Sequence, residues 1–139
     1  MRQIISLLLI VLVGGCNQVA WAETNPKLKG VKPELVQKII LLKKLAKQKG
    51  IEFVITCGYR SQAEQDRLYA QGRTTAGRKV TWTRHSKHTQ RIAVDVAILK
   101  NGKITWKPED YFELGQLAQK IGLEWGGSWK VKDYCHLQL

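Results

Sequence analysis

Acidic side chains are scarce in this 139-residue chain: 11 aspartates and glutamates stand against 23 lysines and arginines, a formal net charge of +12. That imbalance excludes an acidic surface and sets up a field that attracts polyanions. Long apolar runs are missing too. The longest, "IISLLLIVLV" at 4–13, falls short of the roughly 20 residues that a membrane-spanning helix needs. No fixed-period repeat and no low-complexity tract interrupts the chain. Cysteine is limited to Cys16, Cys57 and Cys135. What is present is a globular composition, 44% hydrophobic and 24% charged, in a length that suits one domain with a real core.

The N-terminus has the layout of a secretory signal peptide, residues 1–22. Arg2 supplies a positive start, 4–13 the apolar stretch, and "AWA" at 20–22 small residues before a cut at Glu23. A helix buried in the fold is the poorer reading, because Gly14 and Gly15 disfavour it. "VGGC" offers a rival exit, a lipobox in which Cys16 would carry lipid. Either route implies export to the periplasm or cell envelope. Removing residues 1–22 takes away Arg2 alone and leaves 22 basic against 11 acidic residues. For an exported protein the fitting polyanion is the cell-envelope surface. A specific nucleic-acid partner is not expected, since no recognised binding motif is present.

Residues 23–33 read as a linker, and 34–139 as the domain. Leu35, Ile39, Leu42 and Ala46 recur at helical spacing, with Pro33 at the start and Gly50 at the stop. "IEFVIT" at 51–56 reads as a buried strand. Ser61 and Glu64 form a capping box for the next helix, which Gly72 ends. Residues 73–87 make a long basic loop, a feature usually functional or mobile. "RIAVDVAILKNGKITW" reads as a hairpin with "NG" at its tip, "PEDYFELGQLAQKIG" as a helix, and the last segment as a short strand. Helices beside a small, mainly antiparallel sheet make an α+β, single-domain fold.

Two stretches carry chemistry. "SKHTQRIAVD" holds His88 and Asp95, and "WGGSWKVKDYCHLQL" holds Asp133 three residues before His136. Two imidazoles and a carboxylate would leave the fourth position of a tetrahedral zinc open for water, the mark of a catalytic site. Asp133 would then lie where a general base is needed. Taken singly, each residue has a plainer account as a turn cap or a satisfied polar group. His85 is an alternative ligand, but a surface role suits its basic loop better. Trp82, Trp106, Trp125 and Trp129 fit either a groove for glycan or peptide or ordinary packing.

"SKHTQRIAVD" resembles the S-x-H-x-x-G-x-A-x-D signature of the VanY-type zinc peptidases, the D-alanyl-D-alanine carboxypeptidase and L-alanyl-D-glutamate endopeptidase group. "EWGGSW" with "DYCHLQL" resembles the group's second signature, and "ITCGYRSQAEQDRLYAQGRT" the stretch leading into the first. The matches run in the family's order over 51–139. The resemblance implies zinc held by His88, Asp95 and His136, Asp133 as catalytic base, and Arg60 steadying the oxyanion. Ser86 is placed to orient His88 or to touch substrate, and Gln65 to touch substrate. The implied function is hydrolysis of a stem-peptide amide in peptidoglycan by a monomeric enzyme. L-Ala–D-Glu endopeptidase action leads, and D-alanyl-D-alanine carboxypeptidase is the runner-up. A non-catalytic wall-binding zinc module stands as an alternative that Asp133 argues against. Phage lysis and resident wall remodelling are left undivided. Three departures stand out: Arg91 where the family has Gly, Cys57 where a small polar residue is usual, and Cys135 where proline is common. The two cysteines flank the implied site, which sets the expectation of a Cys57–Cys135 disulfide.

Overall fold

A computed structural model describes residues 12–139. In chain order the elements are α1 (Leu12–Thr24), α2 (Pro33–Gln48), β1 (Glu52–Cys57), α3 (Gln62–Ala70), β2 (Ala93–Lys100), β3 (Lys103–Thr105), α4 (Phe112–Lys120), β4 (Glu124–Trp125) and β5 (His136–Gln138). Short 3-10 turns occupy Pro26–Leu28, Pro108–Tyr111 and Gly126–Ser128. This is the expected α+β architecture.

β2 is the spine of an antiparallel sheet ordered β1-β2-β5-β4. β1 takes one edge of β2. The other edge is shared end to end by β5, against Ala93–Asp95, and β3, against Ile98–Lys100. The sequence explains the placement. "AVDVAILK" is apolar on both faces, and Ala93, Val94, Val96, Ala97 and Ile98 are all buried, as a central strand requires. The β2–β3 turn has Asn101 at φ 51° and Gly102 at φ 72°, the paired left-handed residues of a tight hairpin turn.

α2 lays Leu35, Ile39, Leu42 and Ala46, all fully buried, on the sheet-side core with Phe53, Val94, Val96 and Leu114. Each such side chain contributes about 1.5–3 kcal/mol by leaving water. Trp125 closes the other end of the core. Its ring lies so near Gly115 and Gly127 that a Cβ there would meet ring atoms at 2.2 and 2.1 Å, and its indole donates to the Tyr134 carbonyl at 2.9 Å. That wedge fixes the turn leading into β5.

Residues 23–33 are not a free linker. Leu28 and Val31 are buried in the core cluster, and the Lys27 carbonyl lies so close to Gly58 that a Cβ there would approach it to 1.8 Å. Two apolar residues four positions or fewer apart sufficed to dock a polar-looking segment. α1 runs through Gly14 and Gly15, where a break was expected. A helical glycine costs only about 1 kcal/mol against alanine, which does not end a helix by itself. Its C-terminal part touches the core through Ala22 and Trp21, with the Lys43 ammonium 4.3 Å from the Trp21 ring centroid. Arg2 and most of the apolar run 4–13 lie outside the described residues. Among the described residues no helix is long and apolar enough to cross a membrane.

Candidate metal centre and active site

The sheet brings the key side chains together by register. Cys57 on β1 pairs with Asp95 on β2, and Asp95 pairs with His136 on β5. Directly opposed residues on neighbouring strands share a face, so three strands present one row. His88 joins from the turn before β2. Ser86 builds that turn: its Oγ accepts from the His88 amide at 3.2 Å and its carbonyl from the amides of Thr89 and Gln90. Ser86 is buried, and its hydroxyl orients the turn that carries His88.

Asp95 sits between two imidazoles. Its Oδ2 is 3.2 Å from His88 Nε2, and its Oδ1 is 3.1 Å from His136 Nδ1. The two rings meet edge to face with centroids 5.2 Å apart. Burial opposes ionisation of Asp95, but hydrogen bonds from His136 and His88 win and hold its carboxyl well below the usual range. Burial likewise opposes the His88 imidazolium, yet Asp95 and Cys57 outweigh it and push His88 up to about 10.

Two separations in the row fit zinc. Ligand atoms on a tetrahedron of radius about 2.0–2.1 Å stand about 3.3 Å apart, close to both Asp95–imidazole separations. Each ring also has its other nitrogen engaged. His88 Nδ1 donates to the Gly58 carbonyl at 2.8 Å, which leaves the Nε2 lone pair facing Asp95. His136 Nε2 donates to Gln138 Oε1 at 3.1 Å, which leaves Nδ1 facing Asp95. Outer partners of this kind set the tautomer of a metal-binding histidine. Gln138 is buried, and its own amide donates to Glu124 Oε2 at 2.8 Å. Glu124's other oxygen accepts from the Trp129 indole, and the Trp129 ring lies 5.0 Å from that of His136.

Cys57 is a rival donor, since it, His88 and Asp95 offer ligand atoms within 4.8 Å of one another. Its Sγ, however, lies 3.8 Å from His88 Nδ1, the nitrogen committed to Gly58. The nitrogen nearest the thiol is therefore not the one that faces Asp95, whereas His136 faces Asp95 directly at 3.1 Å.

Arg60 reaches the row from the β1–α3 connection. Its Nη2 donates to Cys57 Sγ at 3.3 Å and its Nη1 to Gln65 Oε1 at 2.8 Å, while Nε is buried with no partner. Gln65 is fully buried. Its amide nitrogen donates to the Thr83 carbonyl at 2.7 Å. The expected substrate contact is instead a strut joining Arg60 to the basic loop.

Asp133 stands on the turn entering β5, anchored by its amide to the Gly126 carbonyl and by its carbonyl to the His136 amide. Its Oδ1 accepts from the Cys135 thiol at 3.2 Å. Among the described residues no hydrogen bond ties its carboxylate to the histidine side chains. His85 is exposed on the loop and takes no part. Gln138, Glu124 and the Gly58 carbonyl had no signal beyond proximity to motif residues.

The expected disulfide is absent: Cys57 and Cys135 are both free. β2 lies between their strands, and two strand spacings make about 9–10 Å, beyond the roughly 7 Å limit for bridging. Cys135 also packs against the apolar core, where burial, then Asp95 and Asp133, push its thiol up. Burial raises Cys57 as well, but His88 and Arg60 leave it lowered. A hollow of about 360 Å³ elsewhere, between α1 and α2, brings no His, Cys or Asp together.

Known proteins resemble this chain in sequence and fold. The family model described as D-alanyl-D-alanine carboxypeptidase matches residues 79–139. The peptidoglycan L-alanyl-D-glutamate endopeptidase CwlK of Bacillus subtilis (strain 168) is 43% identical over 120 residues, spanning 77% of this chain and 72% of that one. The crystal structure of the Serratia marcescens L-Ala D-Glu endopeptidase ChiX superposes with a TM-score of 0.68 at 32% identity, over 85% of each chain. The vancomycin resistance D,D-pentapeptidase VanY, in complex with Zn(II), shares the fold at a TM-score of 0.57 and 16% identity, over 78% of this chain and 71% of that one. With that much identity along most of its length, the chain belongs to the VanY-type zinc peptidases of the M15 family.

Proposed function

We propose that the protein is a zinc-dependent peptidoglycan peptidase that cleaves the L-Ala–D-Glu bond of the stem peptide. The observation that carries this is the row His88–Asp95–His136, two imidazoles aimed at one carboxylate with their far nitrogens occupied. The likeness to CwlK and ChiX supports the bond.

When bound, zinc supplies Lewis acidity that activates water and polarises the scissile carbonyl. The chain's own residues do the rest. His88, Asp95 and His136 hold the ion. Gly58 and Gln138 keep each imidazole in the tautomer that offers a lone pair. Asp133 accepts the proton of the attacking water and delivers it to the departing amine. Arg60, held beside the row by Cys57 and Gln65, donates to the carbonyl oxygen as negative charge develops there.

The enzyme acts as a monomer and is exported through the leader at 1–22, to work in the periplasm or at the envelope surface. The basic start, the apolar stretch and the small residues before Glu23 support that placement. N-terminal sequencing of the released protein checks it.

Digestion of purified muropeptides followed by mass spectrometry tests the activity. Products split between L-Ala and D-Glu are expected. Loss of a terminal D-alanine alone would replace the endopeptidase with a D,D-carboxypeptidase, and intact muropeptides would remove the peptidase reading.

A further inference from the structure

Between Asp66 and Asp95 there is no acidic residue, while the loop 73–87 alone carries Arg73, Arg78, Lys79, Arg84 and Lys87. Trp82 stands in their midst at 75% exposed, and Val80 at 55%. The cations are grouped about rings. Arg73 lies 3.9 Å from the Tyr69 centroid and 5.7 Å from that of Trp82. Lys79 is 5.6 Å from Trp82, and Arg84 is 5.2 Å from Tyr69. Like charges gathered round open aromatic faces repel one another until an anion arrives.

The loop is also built rather than slack. Gln65 donates to the Thr83 carbonyl, Gln62 to the Arg84 carbonyl at 2.9 Å, and Arg73 to the Thr81 carbonyl at 3.0 Å. Gly72 at φ 72° lets the chain fold back so closely that a Cβ would meet the Lys79 amide at 2.6 Å. A surface ordered in advance loses little entropy on binding. It runs directly into Ser86 and His88, so its occupant lies beside the metal centre.

We propose that this surface is an exosite for the peptidoglycan polymer outside the scissile bond. A glycan ring lies on the Trp82 face, and stem-peptide carboxylates lie among the surrounding cations. The inference rests on the peptidoglycan reading above. Continuity with the metal centre favours the polymeric substrate over a bilayer, and one Trp with one Val offers little apolar area for lipid insertion.

Binding is measured by co-sedimentation with purified sacculi stripped of phosphate polymers, using Asp133→Ala to prevent digestion. Adding Trp82→Ala, or Arg78→Ala with Lys79→Ala, is expected to weaken binding about tenfold. In the otherwise unaltered enzyme, Trp82→Ala is expected to slow sacculus digestion while leaving kcat/KM on a small soluble muropeptide unchanged. Unaltered sacculus binding by these variants overturns the exosite. So does equal loss on the soluble muropeptide, or sedimentation of the parent protein with phosphatidylglycerol vesicles but not with stripped sacculi. Trp82-dependent sacculus binding with no muropeptide cleaved would sustain the exosite and remove the peptidase reading.

Discussion

Gln138 shows how much of a metal centre lies one residue beyond its ligands. It is buried, it occupies His136 Nε2, and it is itself held by Glu124. Losing such an outer partner typically costs about 10–100-fold in metal affinity. Gln138→Ala should therefore weaken zinc binding by that order in a chelator competition, and Gln138→Glu, which keeps the acceptor but sets a second carboxylate against Glu124, should recover only part of it. Equal affinity in all three proteins would show that Nδ1 is presented without help. Asp133→Ala should behave oppositely. Zinc stays while turnover falls about 10²–10⁴-fold, the range for a lost general base. Near-normal turnover would move the proton to another group. Glu124 is poorly placed for that, with both oxygens engaged. Arg91 adds a backbone test. It sits at φ 68°, and its amide carbonyl and side chain bind Lys32 and Gly30. A left-handed side-chain residue costs about 1–2 kcal/mol. Both Arg91→Ala and Arg91→Gly lose the side-chain bond to Gly30, but alanine keeps the backbone cost whereas glycine relieves it. A gap of about 1 kcal/mol in favour of glycine is expected from urea midpoints, and no gap would mean the turn relaxes around alanine.

Among the elements, the hairpin, β1 and α2 were legible because each carries a local signal: "NG", a β-branched run, and an apolar stripe at helical spacing. His88, Asp95 and His136 were legible as a set only through motif resemblance, since their convergence depends on β5 entering beside β2. The disulfide expectation failed for the same reason. Nearness to one site was inferred correctly, but the strand between the cysteines was invisible from spacing. The 23–33 segment was misread because its composition is polar while its two buried side chains, Leu28 and Val31, decide its place. That segment leads to a prediction at the junction with β1. Gly58 cannot take a Cβ without striking the Lys27 carbonyl. Gly58→Ala should push the two apart, cost about 1–3 kcal/mol as overpacking does, and displace the carbonyl that orients His88. Zinc affinity and thermal stability should fall together. A stable variant with weakened zinc binding would mean the strand end shifts without cost.

At the level of the whole molecule, the core and the metal centre are separable. The buried cluster from α2, β1, β2 and α4 contains no zinc ligand, and the ligand row already closes on itself through Asp95. Removing zinc should leave the far-ultraviolet spectrum nearly unchanged, and the melting temperature should rise with added zinc as mass action requires. Collapse of secondary structure on chelation would show instead that the ion is part of the fold. The order of the strands carries a further consequence, one of timing. β5 occupies an interior place in the sheet, between β2 and β4, yet every other strand precedes it along the chain. Until residue 136 has been synthesised, Ala93–Asp95 of β2 lack a partner on that edge and the row lacks His136. Pairing Asp95 with His136 across 41 positions is a late, slow closure. A peptidoglycan hydrolase built this way thus cannot begin to work from any fragment broken off before that point.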